Sequence, residues 1–261
     1  MSRRQPEGPP PPPAVQRLRI RYAKRGRLRF TSHRDFARAL ERALRRAQVP
    51  MAYSAGFSPH PKMSFVGAAP TGAASEAEYL EIALTERRDP EQIRAALDAS
   101  LPPGLDVLQC VEAGPGSLPD RIDASEWEVR LPGTDPVEAA AALAVFLAAD
   151  RVLVQRRTKD GSRELDARAA VRHAEISPGT AAGTGPCAIL RLVVRHGTPA
   201  VRPDDVLSGL RELAGLQTFA PPEATRLAQG KLDEAGRLTD PLADPMVAEE
   251  PDAATVASVS P

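Results

Sequence analysis

An α+β fold made of two tandem βαββαβ units follows from three features of this 261-residue chain. Short stretches alternate apolar and polar residues, as half-buried strands do. Between them lie amphipathic stretches opened by good N-cap residues. The order strand, helix, strand, strand, helix, strand can be read twice between two polar ends, the ferredoxin-like pattern of helices on one face of an antiparallel sheet. The boundaries read as a Pro-rich disordered leader over residues 1–14, a basic ferredoxin-like domain over 15–122, a second over 123–232, and a disordered acidic tail over 233–261.

The first unit opens on Arg17-Leu18-Arg19-Ile20-Arg21-Tyr22, a strand with Leu18, Ile20 and Tyr22 facing inward. After an Arg25-Gly26 turn, Leu28-Arg29-Phe30 is expected to extend onward. Ser32 is a good N-cap, and Asp35 stands three residues later, as in a capping box with Asp for Glu. The helix that follows places Phe36, Leu40, Ala43, Leu44 and Ala47 on one stripe and Arg38, Arg42, Arg45 and Arg46 largely on the other side. Residues 49–52 read as a second strand, 56–62 as a Pro/Gly loop, 63–66 as an extended segment and 78–84 as a third strand. Asp89-Pro90 is an N-cap and N1 pair opening a helix over 91–100, and 105–111 closes the unit as a strand.

The second unit repeats the order less clearly. Residues 126–131 form a strand, 136–149 an apolar helix behind Asp135, and 152–157 a strand. Lys159-Asp160-Gly161 makes a turn, and 163–175 gives a strand or short helix. Residues 187–195 form a strongly apolar strand, 204–214 a helix behind Arg202-Pro203, and a last short strand falls near 225–228. The two units share element order but no residue-by-residue repeat.

The formal net charge is zero, yet the charge is segregated. Residues 14–70 hold 13 basic and two acidic side chains; 71–125 hold 11 acidic and four basic; 233–261 hold seven acidic and one basic. A basic block steers polyanions, so RNA or another polyanion is the expected partner. The alternative is internal neutralisation, with the acidic segment folded beside the basic one.

No run of about 18 apolar residues is present, so no membrane-spanning helix is expected. The start lacks the apolar stretch of a secretory signal. Cys110 and Cys187 stand far apart with no CxxC, which fits a reducing, cytoplasmic setting and two small apolar side chains. No P-loop, GxGxxG or GxSxG occurs. No cofactor and no metal site is expected; a site from His33, His60 and Asp35 would face repulsion from the arginines around it.

Two segments carry the candidate chemistry. In the loop Gly56-Phe57-Ser58-Pro59-His60-Pro61-Lys62, Gly56 permits a sharp turn and two prolines stiffen the chain around His60. Such a loop could hold an imidazole and the Lys62 ammonium toward a phosphate, or be an ordered turn only. In Thr31-Ser32-His33-Arg34-Asp35, a helix N-terminus offers free N–H groups to an anion, with Arg34 able to grip a phosphate bidentately. The anion-binding set is therefore Arg29, Ser32, His33, Arg34, Arg38, Arg42, Gly56, His60 and Lys62. His33 and His60 are also the candidates for acid–base catalysis in a metal-independent ribonuclease, should they converge. Arg156, Arg157, Lys159 and Arg163 form a basic hairpin tip that could follow a nucleic-acid backbone. His173 and His196 read as structural or exposed.

The segment 56–65 with Ser75-Glu76-Ala77-Glu78-Tyr79-Leu80-Glu81-Ile82, and the opening Arg19-Ile20-Arg21-Tyr22-Ala23-Lys24 with 28–35, resemble the radical-SAM-linked family, a bacterial domain of unknown function. The resemblance spans about residues 17–230. In many members this domain is fused to, or encoded beside, a cobalamin-binding radical SAM protein, often near genes of RNA metabolism. This chain has neither a CxxxCxxC motif nor a cobalamin-binding domain. The resemblance thus implies a non-catalytic accessory piece that binds tRNA or rRNA and presents it to a partner enzyme. A protein-docking module for a radical SAM partner, without nucleic acid, is the other implication.

Overall fold

The computed structural model describes residues 11–158, 161–180 and 185–243. It is a mixed α/β protein with one large mixed sheet and few helices. In the first half, β1 (Gln16–Lys24) turns Leu18, Ile20 and Tyr22 into the core and pairs antiparallel with β3 (Ala74–Leu84) and β4 (Val107–Glu112). The short β2 (Met63–Val66) joins β3 on its other side, antiparallel. Two helices, α1 (His33–Arg46) and α2 (Pro90–Ser100), bury Phe36, Leu40, Leu44, Ile93 and Leu97 against one sheet face. The other face holds a small cluster of Ala77, Tyr79, Leu118, Ile122 and Leu242.

In the second half, β5 (Ala124–Pro132), β8 (Val171–Pro178), β9 (Cys187–Arg195) and β10 (Glu223–Leu232) run in the spatial order β10-β5-β9-β8, all antiparallel. Helices α3 (Pro136–Ala148) and α5 (Pro203–Ala214) cover it, and Phe146, Val206 and Leu210 are fully buried between them and the sheet. A separate ribbon, β6 (Leu153–Thr158) with β7 (Gly161–Asp166), and the short helix α4 (Ala167–Ala170) intervene before β8. The halves are not joined by a linker alone. Thr225 and Arg226 of β10 pair parallel with Ala74 and Ser75 of β3, making the sheet continuous.

Several expectations are corrected. Residues Gly26–Phe30 form a 3-10 helix rather than an extension of the strand, because Gly26 takes a left-handed turn (φ 53°). Residues 49–52 contribute one isolated bridge, Met51 to Leu84, not a strand: Gln48 sits at φ 52° and Pro50 has no N–H to give to a ladder. The strand that fills this place is β2. The last strand is ten residues long, and the chain stays ordered beyond 232: β11 (Leu238–Thr239) pairs with β10, and Leu242 is buried. Residues 1–10 of the leader, 244–261 of the tail, and Lys159 and Asp160 of the hairpin turn lie outside the described residues. Among the described residues no helix is long and apolar enough to cross a membrane. Burial pushes the Cys110 thiol up to about 12, as suits a small apolar filler, and Cys187 is buried too.

Candidate functional site

The basic block divides into two populations. Arg17 and Arg19 pair with Glu81, and Arg19, only 2% exposed, also donates to the Gly116 carbonyl. Arg25 bridges Glu76 and Asp106, and these bonds raise its guanidinium further above its ordinary value. These acids all come from the 71–125 segment, so three cations of β1 and its turn are paired internally, while Arg21 donates to the Glu76 carbonyl at 2.9 Å and Arg27 is exposed. Alternation along β1 turns its arginines away from the core strip. The second sheet face is itself covered, by residues 114–122 and Leu242, so Arg19 is buried there.

The second population is exposed. Ser32 caps α1, accepting from the Asp35 amide at 3.2 Å, and its hydroxyl donates to the Asp35 carboxylate at 2.7 Å. Beyond it, His33, Arg34, Arg38, Arg42, Arg45 and Arg46 face water. The acids beside them approach only loosely: Asp35 to Arg38 at 4.0 Å and Glu41 to Arg45 at 3.9 Å. Like charges spaced by four residues cost an isolated helix about 0.2–0.5 kcal/mol per pair, so the row is not there for helix stability. The His33 ring meets Phe65 of β2 edge-on, centroids 4.7 Å apart.

The loop 56–62 lies next to this helix. Gly56 takes φ 135°, Tyr53 bridges Pro61, and the His60 amide donates to Ser54 Oγ at 3.0 Å. Pro61 shares a small cavity with Glu41 and Arg45 of α1. His60 and Lys62 are exposed. Neither the His33 nor the His60 imidazole hydrogen-bonds to a described side chain, so neither has the partner that orients a general base. Arg29 stands apart, on the 3-10 helix, its guanidinium 5.0 Å from the Phe30 ring centroid. On the β6–β7 ribbon Arg157 and Arg163 are exposed, but Arg156 turns inward to Asp205 and the Ala200 carbonyl.

A second polar constellation, unread in the sequence, sits at the seam. The registers place Lys24 (β1), Ser75 (β3), Arg226 (β10) and Trp127 (β5) in one row across four strands. Arg226 is ion-paired to Glu78, both nearly inaccessible; it also donates to Ser75 Oγ at 3.3 Å and lies 5.4 Å from the Trp127 ring centroid. Burial drives the Lys24 amine below its ordinary value, and it donates to the Ala69 carbonyl at 3.4 Å. Ser125 Oγ lies 2.6 Å from His196 Nε2, so His196 is a partnered residue at the seam. The seam was illegible because its members lie up to about 200 residues apart, from Lys24 to Arg226, and no local pattern marks a charge as buried.

Burial, helped by Arg226 and opposed by Asp123, holds His196 below the ordinary 6.5. Folding therefore favours its neutral form. That stabilisation is present above pH 6.5 and is lost as the pH falls toward the folded-state value. Urea unfolding at pH values spanning 6.5 should show His196→Gln losing less stability on acidification than the parent; parallel curves would assign the effect elsewhere.

A family model described as an uncharacterized protein conserved in bacteria (DUF2344) matches residues 17–203. No curated protein matches the chain. Among solved structures, the crystal structure of an unknown protein from Galdieria sulphuraria is similar, at 16% identity over 81% of this chain and 98% of that one, with a TM-score of 0.23.

Proposed function

The chain belongs to the family of uncharacterized proteins conserved in bacteria, DUF2344, and we propose that it is an RNA-binding accessory protein whose contact surface is the exposed side of α1 with the adjoining 56–62 loop. The observation that carries this reading is the row Arg34, Arg38, Arg42 and Arg45, exposed and at most loosely paired, whereas Arg17, Arg19 and Arg25 pair with acids of the 71–125 segment. Its spacing runs along one side of the helix over roughly 16 Å. His33 and Ser32 at the helix start, and His60 and Lys62 on the loop, extend it. Arginine forks on a rigid helix suit phosphate oxygens.

In the finer form of this proposal the halves are two ferredoxin-like units. Support comes from the strand orders β4-β1-β3-β2 and β10-β5-β9-β8, each the spatial order 4-1-3-2 of a split βαβ pair. The RNA is presented to a separate radical SAM enzyme, a link supported by the resemblance of segments 19–35 and 56–82.

Four phosphate contacts on single-stranded RNA give a log–log salt slope of about −2.8, so a fourfold rise in salt should weaken binding roughly fiftyfold. Fluorescence anisotropy with a labelled RNA measures this. The triple variant Arg34→Ala, Arg38→Ala, Arg42→Ala should flatten the slope to about −0.7, while His60→Ala should bind only somewhat more weakly. Equal affinity and slope for parent and triple variant would refute the surface. RNA cleavage abolished by His33→Ala or His60→Ala would instead make the protein a nuclease.

A further inference from the structure

A cavity of about 260 Å³ opens between the two halves of the sheet. The first half supplies Arg29, Phe30 and the turn 70–73; the second supplies Trp127, Arg202 and Asp204. A neighbouring cavity of about 270 Å³, reaching His196 and Arg226, shares Pro70, Trp127 and Arg202 in its wall. The turn is fixed in place: the Gly72 amide donates to the Arg29 carbonyl at 2.8 Å, and Gly72 takes φ 98°, with the Phe30 ring 3.9 Å from where a Cβ would stand.

Three features here lack a structural use. Phe30 is 60% exposed, a large aromatic surface left in water beside a cavity. Arg29 Nε is buried with no hydrogen-bond partner among the described residues, a cost a folded chain normally avoids. Arg202 is exposed, and its guanidinium makes no ion pair among the described residues. Asp204, exposed on the first turn of α5, is the one acid in the wall and leaves the cavity with a positive balance.

We propose that this cavity is a nucleotide site, with the phosphate between Arg29 and Arg202 and the base against Phe30 at the cavity formed with Trp127. Two guanidinium forks suit a phosphate, and an exposed aromatic face suits a base of any identity. The nucleotide is either free or a unit of an RNA strand; no residue of α1 lines the cavity, so the site does not rest on the surface proposed above.

Trp127 is the chain's single tryptophan and lines both this cavity and the adjoining one, so its emission reports on this region of the seam. Excited at the red edge of its absorption, the full chain should show a saturable change on titration with AMP or with a 5′-phosphorylated RNA trinucleotide. A stronger response to AMP marks a free nucleotide as the ligand; a stronger response to the trinucleotide marks a strand. Arg202→Ala, at an exposed position, should weaken binding about tenfold or more, with circular dichroism unchanged. Arg202→Lys should recover part of it, and the α1 triple variant should leave it unaltered. The proposal is overturned if neither probe gives a saturable change, if Arg202→Ala binds as the parent does, or if adenosine or inorganic phosphate alone binds as tightly as AMP.

Discussion

Glu78→Ala should lower the unfolding free energy by about 3–5 kcal/mol, the penalty for stranding one member of a buried ion pair. Glu78 and Arg226 have side chains only 3% and 4% exposed. Removing the carboxylate leaves the guanidinium with Ser75 Oγ and the face of Trp127, neither of which carries a compensating charge. Two further effects point the same way. The Ala69 amide loses its acceptor, Glu78 Oε2, at 3.1 Å. The Lys24 amine loses the carboxylate that opposes its deprotonation. Urea denaturation reads the loss directly. Glu78→Gln keeps one acceptor oxygen where the carboxylate supplies two, and should lose less than Glu78→Ala. The double variant Glu78→Leu, Arg226→Met should recover much of the stability, since apolar replacement of a whole buried pair is often neutral or better. A loss below about 1 kcal/mol in Glu78→Ala would mean that water reaches the pair.

Phe146→Ala should cost about 3–5 kcal/mol by the same measurement. Phe146 is wholly buried where α3 crosses α5, and the crossing is close because residue 209 has no side chain. A Cβ on Gly209 would stand 2.9 Å from both Phe146 Cε2 and Val152 Cγ1. Glycine in mid-helix sacrifices about 1 kcal/mol relative to alanine, so its presence reflects this contact. The two positions should therefore couple. Gly209→Ala should destabilise the parent more than the Phe146→Ala background, where the ring clash is gone and only the Val152 contact remains. Equal losses in both backgrounds would show that the ring does not set the helix spacing.

What could be read in the chain was what is encoded locally. The Ser32 and Asp135 caps, the Leu18-Ile20-Tyr22 face and the strand over 187–195 each rest on neighbours within a turn or a few residues, and the structure places them so. Leu28-Arg29-Phe30 was misread because three residues are too few to separate extended from 3-10 backbone, and Gly26 decides between them. Residues 49–52 have strand-like side chains, but Pro50 withholds the amide. The burial of Arg19 was not legible for a different reason: alternation identifies the second face of a strand, not what covers it. The exposed arginines of α1 follow from helical period and were legible. The Lys24–Ser75–Arg226–Trp127 row was not, since it depends on the register between strands distant in sequence.

The parallel joint between β3 and β10 has a consequence for how the chain matures. The strand that fastens the two halves is the tenth of the eleven among the described residues, yet it lies in the interior of the sheet. While residues 223–232 are still to emerge from a ribosome, β5 has one uncovered edge and the Ala74–Ser75 end of β3 another. Unpaired edges of this kind template adhesion between nascent chains. Assembly is therefore a closing zip that waits on a late segment, and any event that delays this segment prolongs the interval in which two half-sheets can find the wrong neighbour.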